Sequence, residues 1–304
     1  MLGFVWALSQ GAALGELAAN NPDVVVVSQD MGPIYGFTER FPDRFFDVGI
    51  SECNLIGVAA GLAQAGKIPF VFGMAPFVSM RGFEQIRDDC GYNRNNVKMI
   101  CPCSGLEGGH WGATHHAVED LALLRLIPGM TVICPGDPAE GNQAVLAAAD
   151  IPGPVYIRFG NIETIDGYAP DFKVGQAPVL RVGSDVTIMA TGAVLTQAIK
   201  AHDLLQQSGV SARVLNMHTI KPIDREAILK AAEETKGIVT VEEHFIAGGL
   251  GGAVAEILAE SGKGKLVRLG LKDEFVMDVY PYPDILEFVG LDAVSIAKAA
   301  RSLV

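Results

Sequence analysis

The stretch Gly49-Ile50-Ser51-Glu52-Cys53-Asn54 places one carboxylate at the start of an apolar run, Leu55-Ile56-Gly57-Val58-Ala59-Ala60-Gly61-Leu62-Ala63. Two chemistries fit Glu52. Ser51 can act as an N-cap and an acid in the first turn suits the helix dipole, so Glu52 can be a capping residue. It can also be a functional acid. A helix apolar all round is a buried helix, and Gly57 and Gly61, one turn apart, would let another backbone approach closely. Glu52 then sits at an interior junction, where a carboxylate is costly without a partner. Its immediate neighbours leave both readings open.

Other chemistry-bearing residues are grouped along the first half of the chain. Asp30 follows a strand-like run, at the carboxyl end where open α/β sheets bind ligands, although a loop aspartate can equally make an Asx-turn. Phe77, Met80 and Phe83 recur at helical spacing. Each alone reads as ordinary core. The glycine-rich segment Gly108-Gly109-His110-Trp111-Gly112-Ala113-Thr114-His115-His116 carries three of the six histidines. No nearby carboxylate or thiolate completes a metal set with them, so no metal ligand is assigned to this chain.

Alternating elements must hold these residues in place. Short apolar runs at 24–28, 69–72, 97–101, 131–134 and 155–159 read as strands. Helical patterns fall at 7–20, 52–65, 81–92, 117–126 and 139–149. Strands without polar alternation, separated by helices, imply a parallel sheet covered on both faces. Residues 166–184, rich in Gly, Pro and Asp, read as a linker. A second, smaller series follows: strands at 186–191, 212–216, 238–242 and 265–269, helices at 195–208, 225–235 and 251–261. The fold class is therefore α/β with two doubly wound domains, 1–165 and 185–304, and 265–269 closes the series.

A length of 304 residues allows two domains, and 49 % hydrophobic against 19 % charged residues suits a chain buried further in subunit contacts. The net charge of −12 argues against nucleic acid and against an anionic membrane surface. No signal segment or spanning apolar run is visible. Five scattered cysteines read as reduced thiols, and the expected location is cytoplasmic. Thr191-Gly192-Ala193 and Gly248-Gly249-Leu250-Gly251-Gly252 lack the pattern of a dinucleotide loop.

Gly-Ile-Ser-Glu-Cys-Asn resembles the glutamate motif in the pyrimidine domain of the transketolase family of thiamine diphosphate enzymes. The resemblance continues through Gly112-Ala113-Thr114-His115-His116, Pro128-Gly129-Met130 and Val241-Glu242-Glu243, in family order over nearly the whole chain. It implies a pyrimidine-binding domain followed by a transketolase C-terminal domain. By this resemblance Glu52 touches a ring nitrogen of the aminopyrimidine, and protonation there favours the tautomer that removes the thiazolium proton. Phe77, Met80 and Phe83 match the family's aromatic enclosure of that ring, with Met80 where an aromatic is usual. Asp30 matches an aspartate near the cofactor crevice. His115 matches the active-site histidine, which faces the thiazolium and the donor's hydroxyls. His116 stands where the family has glutamine.

Departures bear on the substrate. Trp111 replaces an aspartate that reads a sugar hydroxyl, and Cys103 replaces a histidine. Arg158 precedes by one residue the slot of a phosphate-gripping arginine, which Phe159 occupies; a one-residue slip on a strand reverses the face. His110, Trp111, His116 and Arg158 are the candidate substrate residues. The Gly-Asp-Gly motif that holds diphosphate and metal is missing, and Gly136-Asp137-Pro138 is its nearest match. The resemblance therefore implies the C-terminal subunit of a split transketolase. An N-terminal subunit would hold Mg2+ or Ca2+ and the diphosphate. The two would form an α2β2 heterotetramer, with two copies of this chain as its core, acting on small sugars. Other readings are the β subunit of a 2-oxo-acid dehydrogenase, a deoxyxylulose phosphate synthase-like fragment, and a binding subunit without chemistry. His244 is expected to be structural or to lie near the subunit interface.

Overall fold

The computed structural model describes residues 5–304 and builds the alternating elements into two sheets. The first contains β1 (Val24–Ser28), β2 (Phe45–Asp47), β3 (Ile68–Phe72), β4 (Lys98–Cys101), β5 (Thr131–Ile133) and β6 (Val155–Arg158), all parallel. Its strand order is β10-β5-β6-β4-β3-β1-β2, where β10 (Thr219–Lys221) comes from the second half of the chain. The Val24-Val25-Val26-Val27 run of β1 is β-branched and buried throughout, as a strand covered on both faces requires. One face is packed by α1 (Val5–Asn20) and α6 (Pro138–Ala148), the other by α2 (Glu52–Gln64) and the segment after β3.

The second sheet has the order β12-β11-β8-β9-β7, from β7 (Val179–Arg181), β8 (Val186–Ala190), β9 (Ala212–Asn216), β11 (Ile238–Phe245) and β12 (Leu266–Leu271). Helices α7 (Leu195–Gln207) and α11 (Ala293–Arg301) cover one face. Helices α8 (Arg225–Glu234) and α9 (Leu250–Ser261) belong to the same apolar cluster as α2, so one core runs through both domains.

Several elements differ from the sequence expectation. The 166–184 segment contains β7, which pairs antiparallel with β9. Strand β10 completes the first sheet rather than the second, antiparallel to β5. The series does not close at 269, because α10 (Tyr282–Phe288) and α11 follow; Asp292 caps α11 by accepting from the Val294 and Ser295 N–H groups. The expected helix at 81–92 begins earlier, as α3 (Ala75–Arg81), with Pro76 in its first turn. After Gly82 comes a short turn, α4 (Phe83–Gln85), that runs into a π-helical segment, Ile86–Tyr92. The helix expected at 117–126 shortens to α5 (Asp120–Arg125), because Ala117 pairs instead with Gly105.

Gly136-Asp137-Pro138 is a helix start. Asp137 accepts from the Ala139 and Glu140 N–H groups of α6, and Glu140 reaches back to the Gly136 N–H. Helix α2 is not buried all round within this chain. Cys53, Asn54, Gly61 and Gln64 are not buried, and a β-carbon added at Gly57 or Gly61 would meet nothing within 4 Å among the described residues. Among the described residues no helix is long and apolar enough to cross a membrane.

Candidate functional site

The chain leaves β1 for β2 on one side and returns through α2 to β3 on the other, so the crevice opens at the carboxyl end of β1. There the Asp47 carboxylate accepts from the Asp30 N–H at 3.1 and 3.2 Å and from the Gly49 N–H at 2.8 Å. One side chain thus ties together the ends of β1 and β2 and fixes the approach to Glu52. Asp30 takes a left-handed φ of 55° and lies exposed beside this crevice. Ser51 precedes α2 but does not cap it with its side chain. Its hydroxyl donates instead to the Val48 carbonyl at 3.0 Å.

Glu52 is 5 % exposed and pairs with Arg81, itself 56 % exposed, at 3.2 Å (Oε1 to Nη1). The same guanidinium lies over the Phe77 ring, 4.4 Å from its centroid. Phe77 meets the His115 ring edge-on at 5.2 Å, His115 lies 5.5 Å from the Trp111 ring, and Trp111 lies 4.2 Å from His110. These residues come from α2, α3 and the loop after β4. Gly82 allows the corner between α2 and α3 to close, since a β-carbon there would come within 2.8 Å of the Val78 carbonyl and 3.6 Å of the Glu52 carbonyl. A buried carboxylate, an aromatic face and an imidazole on one wall can hold a flat, protonatable heterocycle.

Of the expected ring enclosure, Phe77 faces this cluster, Met80 is exposed one turn further along α3, and Phe83 packs into the shared core. The histidine loop is closed at its base by the Gly105–Ala117 bridge, with both N–H···O distances at 3.0 Å. Gly112, with φ of 79°, turns the chain between two 3-10 turns, and the second carries His115. His115 also has Thr114 Oγ1 at 3.0 Å from its Nδ1. His110 and the half-exposed Trp111 stand at the rim. His116 does not: it is 4 % exposed, and burial together with His115 lowers its pKa, favouring the neutral ring. Burial pushes the Cys103 thiol up to about 12, which leaves it an inert core group.

Arg158 is not presented to a substrate. Its Nε donates to Asp120 Oδ2 at 2.7 Å, and its Nη2 donates to the Ala117 and Glu243 carbonyls at 2.8 Å each. Tyr156 also donates to Asp120 Oδ2, at 2.7 Å. The arginine therefore clamps the base of the histidine loop to β11, while Phe159 turns into the opposite core. Replacing Arg158 with methionine should cost about 3–5 kcal/mol, because Asp120 is left buried and uncompensated. Denaturant unfolding measures this. A raised KM with unchanged stability would restore Arg158 to substrate binding.

The Val241-Glu242-Glu243-His244 run joins the two halves. Glu242 accepts from the Leu250 and Gly251 N–H groups at the start of α9. The Glu243 carboxylate accepts from the Leu106 N–H at 3.4 Å. His244 Nε2 accepts from the Ala122 N–H at 3.1 Å, and its Nδ1 lies 2.6 Å from the Phe245 carbonyl, an arrangement that suits a neutral ring. Burial lowers its pKa in agreement. Its role is structural.

Arg81 and Asp47 are the site residues that sequence reasoning missed. Arg81 could have been found from its spacing: it lies four residues after Phe77, on the same side of a helix begun by Pro76. Asp47 had no such signal, because its partners come from loop backbone.

The chain matches two family models: transketolase, pyrimidine binding domain, over residues 3–164, and transketolase, C-terminal domain, over residues 175–296. It is 40 % identical to a subunit of the apulose-4-phosphate transketolase of Phocaeicola vulgatus, over 95 % of this chain and 94 % of that one. It is 39 % identical to a 6-deoxy-6-sulfo-D-fructose transketolase subunit of a Clostridium species, over 95 % of this chain and 91 % of that one. A solved structure described as a split gene transketolase, inactive beta4 tetramer, superposes with a TM-score of 0.88 at 41 % identity, covering 97 % of this chain and 96 % of the other.

Proposed function

The chain belongs to the transketolase family of transferases, and from that premise we propose that it is the subunit contributing the aminopyrimidine half of a thiamine diphosphate site. The observation that carries this reading is the buried Glu52 carboxylate beside the Phe77 ring, with His115 edge-on to the same ring. The site suits the pyrimidine end: the guanidinium seated there is itself flat and donates to Glu52 while lying on Phe77. When bound, the cofactor supplies a carbanion-stabilising centre for moving a two-carbon ketol unit from a ketose to an aldose. This chain's own part is narrower. Glu52 holds a proton at the ring nitrogen, Phe77 and Met80 give the ring an apolar wall, and His115 faces the donor's hydroxyls. Asp30 and Asp47 shape the crevice floor.

The diphosphate and Mg2+, or Ca2+, would be held by an N-terminal partner subunit. Relatives of nearly this length are named as single subunits or as a C-terminal section of a transketolase, and a split-gene β4 tetramer is described as inactive. The uncovered face of α2, with Asn54, Gly57 and Gly61, suits a contact between two copies of this chain in an α2β2 assembly. Two of these relatives are named as transketolases of apulose 4-phosphate and of a deoxysulfofructose. Here Trp111 and His110 form the rim, and Arg158 is engaged in the core, so ordinary pentose phosphates lack their usual polar partners. The complex with its N-terminal subunit should prefer a modified ketose over xylulose 5-phosphate with ribose 5-phosphate, measured as ketol transfer across a ketose panel. Equal efficiency on the pentose phosphates would remove the substrate part of the reading. No ketol transfer from any ketose would remove all of it.

A further inference from the structure

We propose that Arg81 is a placeholder for the cofactor's aminopyrimidine, occupying both surfaces that the ring needs and swinging away when the ring arrives. The inference rests on the reading of Glu52 and Phe77 as the pyrimidine-binding pair. A guanidinium is planar, carries N–H donors at its edge and stacks on aromatic faces. Here its edge meets the Glu52 carboxylate at 3.2 Å while its centre lies 4.4 Å from the Phe77 centroid. An aminopyrimidine would use the same carboxylate for its ring nitrogen and the same apolar wall for its face. Both cannot be there at once.

The arrangement answers a physical need. A carboxylate that is 5 % exposed is costly without a counter-charge, and Arg81 provides one from the end of α3, where the helix dipole favours a cation. The contacts are also weak enough to yield. The Arg81 side of the pair is 56 % exposed, so solvent screens the guanidinium, and an exposed cation–π contact is among the weaker interactions of a folded protein. Its backbone need not move, because the Arg81 carbonyl is held by Cys53 Sγ at 3.3 Å from the facing first turn of α2. Only the side chain has to turn outward.

The test is binding rather than turnover. Thiamine diphosphate with Mg2+ is titrated calorimetrically into the complex of this chain with its N-terminal subunit, wild type against Arg81→Gln and Arg81→Lys. Removing the competing cation should tighten binding by about three- to thirtyfold in Arg81→Gln, the range set by one solvent-screened ion pair and one exposed cation–π contact. Arg81→Lys keeps the charge but loses the plane, so its gain should be smaller. In a Glu52→Gln background the gain from Arg81→Gln should shrink, because the pair no longer exists. An arginine that merely supports the site would weaken binding when truncated. Unchanged or weaker binding in a folded Arg81→Gln complex therefore overturns the placeholder. Failure of the wild-type complex to bind the cofactor overturns the underlying pyrimidine-site reading instead, and the placeholder with it.

Discussion

Glu52→Gln should slow exchange of the thiazolium C2 proton by roughly 10²- to 10⁴-fold in the cofactor-loaded complex, before any sugar is added. Glutamine keeps the size of the side chain and most of its hydrogen bonding. It cannot hold the proton at the ring nitrogen. The alternative role, helix capping, makes a different forecast: under about 1 kcal/mol of stability lost and exchange nearly intact. The geometry already weakens that alternative, because the carboxylate turns to Arg81 and the Ser51 hydroxyl turns back to Val48. Stability should change little in either case, since the Arg81 side of the pair is more than half exposed. Exchange followed by quenched-flow proton NMR separates the two roles. Unchanged exchange in a folded, loaded variant returns Glu52 to the cap.

Much of this was legible in the sequence for reasons of patterning. The strand Val24–Ser28 falls where an uninterrupted valine run puts it, the strand Ala212–Asn216 keeps its expected bounds although Arg213 breaks its apolar run, and the start of α2 falls at Glu52. Runs of this kind have one stable place, inside a sheet covered on both faces. What was not legible depended on partners far along the chain. Thr219–Lys221 lies within the second domain's stretch of sequence, yet it pairs with Thr131–Ile133 in the first. Val179–Arg181 sits in a stretch punctuated like a linker and becomes a strand only because Ala212–Asn216 offers an edge. Helices Tyr282–Phe288 and Ala293–Arg301 lie beyond 265–269, the run that read as the close of the series.

The site divides along the same line. Glu52 and Phe77 are linked through the Arg81 guanidinium, and His115 lies edge-on to the Phe77 ring. Arg158 fails as a substrate residue because Asp120, a distant acid unremarked in sequence, takes its charge in the core. His116 fails because the Gly105–Ala117 bridge begins one residue after it and leaves its ring buried. The apolar composition of α2 asks for a cover on Gly57 and Gly61, and among the described residues none comes within 4 Å of a β-carbon placed at either.

The purified chain alone, given thiamine diphosphate and Mg2+, should show no ketol transfer above background, and adding the N-terminal subunit should restore it. The expectation follows from what the crevice offers. Its side chains suit a flat, uncharged ring: one carboxylate, one aromatic face and one imidazole. A diphosphate requires backbone donors or cations, and Mg2+ requires oxygen ligands in near-octahedral geometry. Acids outnumber cations near the opening, with Asp30 and Asp47 at the ends of β1 and β2 and Glu52 paired with Arg81, on a chain of net charge −12. An anionic tail is repelled there unless another surface brings the counter-charge. Calorimetry on the isolated chain should accordingly find weak cofactor binding at best, rising sharply in the complex. Appreciable turnover by the chain on its own would show that it holds both ends of the cofactor, and the division of labour between two subunits would fall.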